Sequence, residues 1–408
     1  MIRVALAGCG VVGSELLRLI REQALNLARE DGIRLEIVRV LVRRPEAVRD
    51  VAFPRDRFTG DHASFLAVHA DVVVEAMGGT SHALKLARRT LEQGRRFVTA
   101  NKALLAAHGP ELAALALRHG GSIDFEAAVG GGVPVVRALR DSLASSGVIG
   151  LRGILNGTTN YILTRVAEGT SFADALARAK HLGFAESDPA RDLSGEDSAD
   201  KIAVLGWVAF GTAPETIAIR TRGIVKIADR LAADARAFNG VPRLVAEVRR
   251  LPEGLAAAVE PCIVSADSEL GRTNDERNIV LLETRWNGSI VLSGPGAGGQ
   301  PTAAVLLADI RRAARALAPA CSTAPPSVAE SQKHRWAVSI RRTPGVAYDL
   351  RAHLQEAGLR AEKVEVDSAA GVVRAALEAV PWQKVERLSN ALTDASLQPV
   401  VSRFELGR

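Results

Sequence analysis

Ile2-Arg3-Val4-Ala5-Leu6-Ala7-Gly8-Cys9-Gly10-Val11-Val12-Gly13-Ser14-Glu15-Leu16-Leu17 decides the fold of this chain. Residues 2–7 are an apolar run of strand length, and residues 14–30 carry apolar residues at helical spacing. Between them stands G-x-G-x-x-G. Glycines let the backbone turn tightly and approach a pyrophosphate, while the amides and dipole of the following helix favour its negative charge. Gly8, Gly10, Val11, Val12 and Gly13 are therefore candidate cofactor contacts. Such a motif counts only in its context of strand before and helix after. Here it has that context, and the strand-like runs 35–42, 72–75, 97–99 and 122–125 continue the alternation with helical patterns such as 83–93. The pattern predicts an α/β fold whose N-terminal domain, 1–128, is a doubly wound parallel sheet of Rossmann type binding NAD(P).

Outward from that turn, the second strand ends in Val42-Arg43-Arg44-Pro45, where an acid would meet the ribose of NAD. Arg43 and Arg44 suit a 2′-phosphate instead, because a guanidinium pairs with it bidentately. NADP is the expected cofactor, with NAD as the alternative. Two further strand ends carry polar residues where such a sheet places ligands: Glu75-Ala76-Met77-Gly78-Gly79 and Thr99-Ala100-Asn101-Lys102. Gly78 is a candidate cofactor contact. Lys102 reads equally as a helix-start charge and as a site residue.

Composition narrows the function. The 408 residues are 47% hydrophobic and 24% charged, ordinary globular usage, which leaves room for two or three domains. The net charge of +6 is spread without a basic block, so nucleic-acid binding is not expected. Lysine is scarce, eight against 44 arginines, which makes a retained lysine informative. Cys9, Cys262 and Cys321 fit neither a disulfide framework nor a metal cluster and read as reduced thiols. With no apolar leader, and with a longest apolar stretch (202–211) too short for a bilayer, a cytoplasmic protein without membrane partners is expected. The eight histidines show no paired ligand spacing.

From about Gly130 the pattern becomes mixed, with a strand at 151–155 and helices near 161–168, 171–182 and 198–210. This predicts a second domain of α+β type over 129–320. Residues 321–332 read as a linker, and 333–408 show a βαββαβ order. The densest chemistry lies at 183–201. Asp197 and Lys201, four apart, share a helix face and are followed at once by the apolar run 202–208. A surface ion pair is the ordinary reading of such spacing. A partly buried lysine beside a carboxylate can also exchange a proton, which arginine does not do near neutrality.

In order along the chain, Gly8 to Gly13, the ends at Glu75–Gly79 and Ala100-Asn101-Lys102, Glu126 to Gly132, Asn156-Gly157-Thr158-Thr159-Asn160-Tyr161, the block 183–201 and Gly294-Pro295-Gly296-Ala297-Gly298-Gly299 resemble the homoserine dehydrogenases over residues 1 to 320. The resemblance implies NAD(P)-dependent interconversion of L-homoserine and L-aspartate 4-semialdehyde, on the path to threonine and methionine. It makes Lys201 the proton donor and acceptor, Asp197 its orienting partner and Lys102 a neighbour of cofactor and substrate. Glu186 would hold the substrate ammonium, with Gly157, Thr158 and Asp192 beside the substrate, and Gly296 and Gly298 would return to the cofactor. A monovalent cation, Na+, would sit on carbonyl oxygens of Val129, Gly131 and Val133 near Glu126.

The tail 333–408 resembles an ACT domain, on its βαββαβ order and the turn Arg341-Arg342-Thr343-Pro344-Gly345-Val346. That implies threonine as an effector, or a dimerisation module that has lost one. A homodimer or larger homo-oligomer is expected. Two rivals remain open: a Rossmann dehydrogenase acting on another amino-acid semialdehyde or amine, and a non-catalytic sensor of NAD(P) and amino acids.

Overall fold

A computed structural model describes residues 1–317, 333–341, 350–367, 372–394, 397 and 399–404. The linker expected at 321–332 and most of the turn expected at 341–346 lie outside the described residues. Two compact units divide the chain, Met1–Thr323 and Ala324–Arg408.

In the first unit β1 (Ile2–Ala7), α1 (Val11–Glu30), β2 (Leu35–Leu41), β3 (Phe58–Thr59), α2 (His62–Ala67), β4 (Val72–Glu75), α3 (Ser81–Glu92), β5 (Arg96–Thr99), α4 (Lys102–His119) and β6 (Ser122–Asp124) succeed one another. Their strands form one sheet in the order β3-β2-β1-β4-β5-β6, parallel at each pairing. The order reverses direction beside β1, so the crevice for a ligand opens at β1's carboxyl end. Gly8 sits there with φ +100°, and a Cβ on it would lie 2.4 Å from the carbonyl oxygen of Ala76. α1 starts at Val11, three residues earlier than the apolar spacing predicts, because the glycine turn itself delivers the chain into the helix. It buries Gly13, Leu16, Leu17, Ile20 and Leu27, a stripe at helical spacing.

After α5 (Val135–Arg137), β7 (Val148–Ile154), α6 (Gly157–Ala167), α7 (Phe172–His181), α8 (Ala190–Ser194), α9 (Glu196–Phe210), β8 (Ile219–Thr221), α10 (Ala228–Ala237), β9 (Gly240–Leu251), β10 (Gly254–Ser265), α11 (Glu269–Arg272), β11 (Arg277–Thr284) and β12 (Gly288–Pro295) build a second layer. Its sheet runs β12-β11-β7-β9-β10-β8, antiparallel except for the short β10–β8 pairing. α12 (Gly299–Arg315) then returns to the first sheet. Its Ala303, Leu306, Leu307, Ile310 and Ala313 join Val4, Leu6, Leu16, Leu17 and Ile20 in one apolar cluster. Burying each large side chain there is worth roughly 1.5–3 kcal/mol.

The second unit contains β13 (Lys333–Arg341), α13 (Leu350–Glu356), β14 (Ala361–Asp367), β15 (Val372–Pro381), α14 (Trp382–Asp394) and β16 (Pro399–Phe404), the βαββαβ order expected. Its sheet is antiparallel, β14-β15-β13-β16, and its core is built from Val338, Ile340, Leu350, Leu354, Val373, Leu377, Val385, Leu388 and Leu392. Among the described residues no helix is long and apolar enough to cross a membrane.

Candidate active site

The N-terminus of α1 is capped by Gly10 without a side-chain hydrogen bond, and that of α12 by Gly298, likewise without one. Helix N-termini of this kind leave amide donors free for an anion. The two ends are neighbours: a Cβ on Gly299 would meet Val11 Cγ1 at 2.9 Å and Glu15 Cγ at 3.0 Å. Around Gly10 and Gly78 nothing lies within 4 Å of a Cβ position. Val12 is partly buried beside this turn, whereas Val11 is exposed. Arg43 and Arg44 are exposed on the loop after β2. Arg49 shapes that loop by donating to the carbonyls of Arg44, Pro45 and Ala47.

Glu75, fully buried at the end of β4, organises the adjoining turn. One carboxylate oxygen accepts from the amides of Met77 (2.8 Å) and Gly78 (3.0 Å), the other from Thr99 Oγ1 at 2.6 Å. Asn101 caps α4 through Leu104 N and donates to the Gly79 carbonyl at 2.6 Å. Lys102, the next residue, is thereby delivered to the carboxyl edge of the sheet.

There it meets the second layer. Asp197, 5% exposed in the first turn of α9, lies between two ammonium groups: Lys201 Nζ is 2.7 Å from Oδ2 and Lys102 Nζ 2.9 Å from Oδ1. Asn156 caps α6 and donates to Asp197 Oδ2 at 2.9 Å and to Asp192 Oδ1 at 2.8 Å. Lys201 also donates to the Leu155 carbonyl at 2.7 Å. Burial alone would raise the Asp197 pKa, but the charges of Lys201 and Lys102, with hydrogen bonds from Lys201 and Asn156, hold it well below the ordinary carboxylate range. Lys102 is itself raised: its burial works against the charge, and Asp197 overcomes it. Asp192 is raised by burial and by the like charge of Asp197.

Gly157 begins α6 against the Glu276 carbonyl, where a Cβ would lie 2.6 Å away. Thr158 is buried and donates to the Phe184 carbonyl. Glu186 stands exposed on the loop between α7 and α8 and forms no ion pair among the described residues. The structure thus gathers Lys102, Asp192, Asp197 and Lys201, and leaves Glu186 apart from their contacts.

Glu126 is buried and accepts from the amides of Val136 (2.8 Å) and Arg137 (2.7 Å), while its own amide donates to Asp309. The Val133 carbonyl accepts from Val135 N at 2.8 Å, and Gly131 packs on Gly296. Among the described residues no group of three or more His, Cys, Asp or Glu could hold a metal ion. Asn156, which ties Asp192 to Asp197, went unassigned in the sequence reading. An Asn directly before Gly157-Thr158-Thr159 is an N-cap signal that could have found it.

Two family models cover this arrangement: the homoserine dehydrogenase NAD-binding domain over residues 8–126 and the homoserine dehydrogenase domain over 134–310. A homoserine dehydrogenase of Pseudomonas aeruginosa is 37% identical over 320 residues, 78% of this chain and 73% of the relative. The chain belongs to the homoserine dehydrogenases. The solved homoserine dehydrogenase of Thiobacillus denitrificans is 27% identical, covers 99% of this chain and 98% of its own, and superposes with a TM-score of 0.73. A hyperthermophilic archaeal homoserine dehydrogenase in complex with NADPH covers 78% of this chain and 98% of its own, at 27% identity and a TM-score of 0.66. As a member of this family the chain is an oxidoreductase that uses a nicotinamide cofactor and a small-molecule substrate.

Proposed function

We propose that Lys201 moves the proton in the interconversion of homoserine and aspartate 4-semialdehyde. The observation that carries this reading is the placement of Lys201, fixed by Asp197 on one side and by the Leu155 carbonyl on the other. In the oxidative direction Lys201 accepts the proton of the substrate hydroxyl. In the reductive direction it returns that proton as negative charge develops on the carbonyl oxygen. A nicotinamide, when bound, supplies the hydride chemistry. Asp197 keeps Lys201 oriented, and Lys102 adds positive charge beside the reacting oxygen. Asp192, Gly157 and Thr158 line the substrate side, and Glu186, which forms no ion pair among the described residues, takes the substrate ammonium.

The glycine turns at Gly8–Gly13 and Gly296–Gly298 hold the pyrophosphate of NADP at two helix N-termini, with Gly78 beside them and Arg43 and Arg44 reading the 2′-phosphate. Val129, Gly131 and Val133 offer carbonyl oxygens and Glu126 a carboxylate, a donor type suited to a hard cation such as Na+; bound there, it would brace the turn under Gly296. The proposed division is 1–128 for cofactor, 129–320 for substrate and dimerisation, and 333–408 for an ACT-like domain with threonine as effector. We place the enzyme in the cytoplasm as a homodimer or larger homo-oligomer.

Purified protein assayed with L-homoserine and either NADP+ or NAD+ tests the reading. Oxidation is expected with both, at higher kcat/KM for NADP+. Absence of turnover with either cofactor would leave a sensor. A chain ending at Thr323 should keep its activity and lose any inhibition by threonine.

A further inference from the structure

We propose that Asn278 is a positioning residue that ties the glycine turn at 296–298 to Lys201 through one shared carbonyl. Asn278 lies near the start of β11 with no exposed surface. Its Nδ2 donates to the Leu155 carbonyl at 3.2 Å and to the Gly296 carbonyl at 3.4 Å. The Leu155 carbonyl is the same one that accepts from Lys201 Nζ. Two carbonyl neighbours require the amide nitrogen, not its oxygen, on that side, so the orientation of the group is determined.

The approach to Gly296 is close enough to exclude any side chain: a Cβ there would lie 2.3 Å from Asn278 Cγ and Oδ1. On its other side the turn rests on Gly131, whose Cβ would lie 2.3 Å from the Gly296 oxygen, and Gly132 N donates to the Pro295 carbonyl at 2.9 Å. Among the described residues Asn278 Oδ1 is buried without a hydrogen-bond partner. An orphan acceptor in such a place destabilises the fold, and an apolar side chain of the same shape would not incur that cost. The placement of the group is set by its nitrogen, which reaches both carbonyls, and not by its oxygen. A shift of the turn on cofactor binding is passed by Asn278 to the Leu155 carbonyl and so to the ammonium resting on it. This inference deepens the function proposed above and rests on its roles for Lys201 and Gly296.

Asn278→Leu keeps the branched shape and removes the donor; Asn278→Ala removes both. Each full-length variant is compared with wild type in melting temperature, NADPH affinity by fluorescence titration, and kcat and KM for homoserine. We expect Asn278→Leu to stay folded with a melting temperature within about 4 °C of wild type, to bind NADPH about 10-fold more weakly, and to lose about 100-fold in kcat with little change in KM, the scale of a misplaced catalytic group. Gly296→Ala should bind NADPH poorly alone and regain affinity when combined with Asn278→Ala, since the second change vacates the space the new methyl needs. Wild-type kcat in Asn278→Leu, with Lys201→Arg inactive, overturns this proposal alone. Full turnover in Lys201→Arg overturns it together with the proton-transfer reading.

Discussion

Two buried charge clusters lie in the first unit, and they resolve the same problem in opposite ways. Around Asp197, two lysines sit directly on the carboxylate and the charge wins over burial, so Asp197 stays ionised, while Asp192, tied to it through Asn156, is raised by burial and by its charge. Around Asp309, arginines face three carboxylates and burial wins. Asp309 is pushed up to about 7 by burial, against its ion pair with Arg137 at 2.6 Å and with the help of like charges on Asp124 and Glu126. Asp124 and Glu126 are raised by burial as well. The second cluster joins α12 to α5 through Arg137–Asp309 and to the end of β6 through Arg312–Asp124. It fastens the fold. The difference follows the cation chosen: arginine keeps its proton, so it suits a fixed tie, whereas lysine can release one. In a chain with eight lysines, two meet on a single aspartate.

The largest effect expected is on turnover. Lys201→Arg retains the charge and should still lose about 10²–10⁴-fold in kcat, while NADPH affinity measured by fluorescence is kept. Near-normal kcat would erase the distinction between the clusters. The next is on stability: Asp197→Asn leaves the largely buried ammonium of Lys201 and the partly exposed one of Lys102 without their carboxylate and should cost about 3 kcal/mol in urea unfolding at neutral pH. Asp309→Asn should cost much less there, because Asp309 is already partly protonated at that pH. Equal costs would show that both carboxylates are simply charged.

Their pH dependences have opposite signs. The folded Asp309 binds its proton more tightly than the unfolded chain does, so its contribution falls as pH rises from about 4 to about 7, by up to roughly 4 kcal/mol. Asp197, held below its unfolded value, contributes stability that is present above about pH 4 and lost only as pH falls further. Urea unfolding at pH 5 and pH 7.5 should show the Asp309→Asn variant losing part of the wild-type decline, and an unchanged slope would refute the raised pKa. The smallest effect concerns the exposed arginines proposed to read the 2′-phosphate. Replacing Arg43 and Arg44 by Ala should weaken NADP by about 1.5–3 kcal/mol per lost charged hydrogen bond and spare NAD, as cofactor titrations would show.

How legible these regions were in the sequence depends on how local their signals are. β1, the glycine turn and α1 are contiguous, and periodicity with the glycine pattern was enough to read them. β4 was read at Val72–Glu75, where β-branched residues cluster. The strands β9 and β10 escaped. They carry Pro242, Pro261 and the run Ala256-Ala257-Ala258, poor strand formers that the twelve-residue hairpin pairing overrides. Pro261 lies beyond the three residues, Ala257 to Val259, that β8 pairs. At the site, the Asp197–Lys201 spacing is helical and could be read, but Lys102 joins it from 95 residues away. Only the meeting of two sheets makes that contact, and Asn278's reach to Leu155 is likewise invisible along the chain.

The return of α12 also bears on how the polypeptide emerges from a ribosome. β1, α1, β2 and β4 are all made within the first 75 residues, yet the apolar face they share with Leu306, Leu307 and Ile310 is covered by α1 alone until residue 310 is out. At about 5–20 residues per second, that face waits on the order of ten seconds or longer. The nucleotide-binding part is therefore translated first but completed only when α12 arrives.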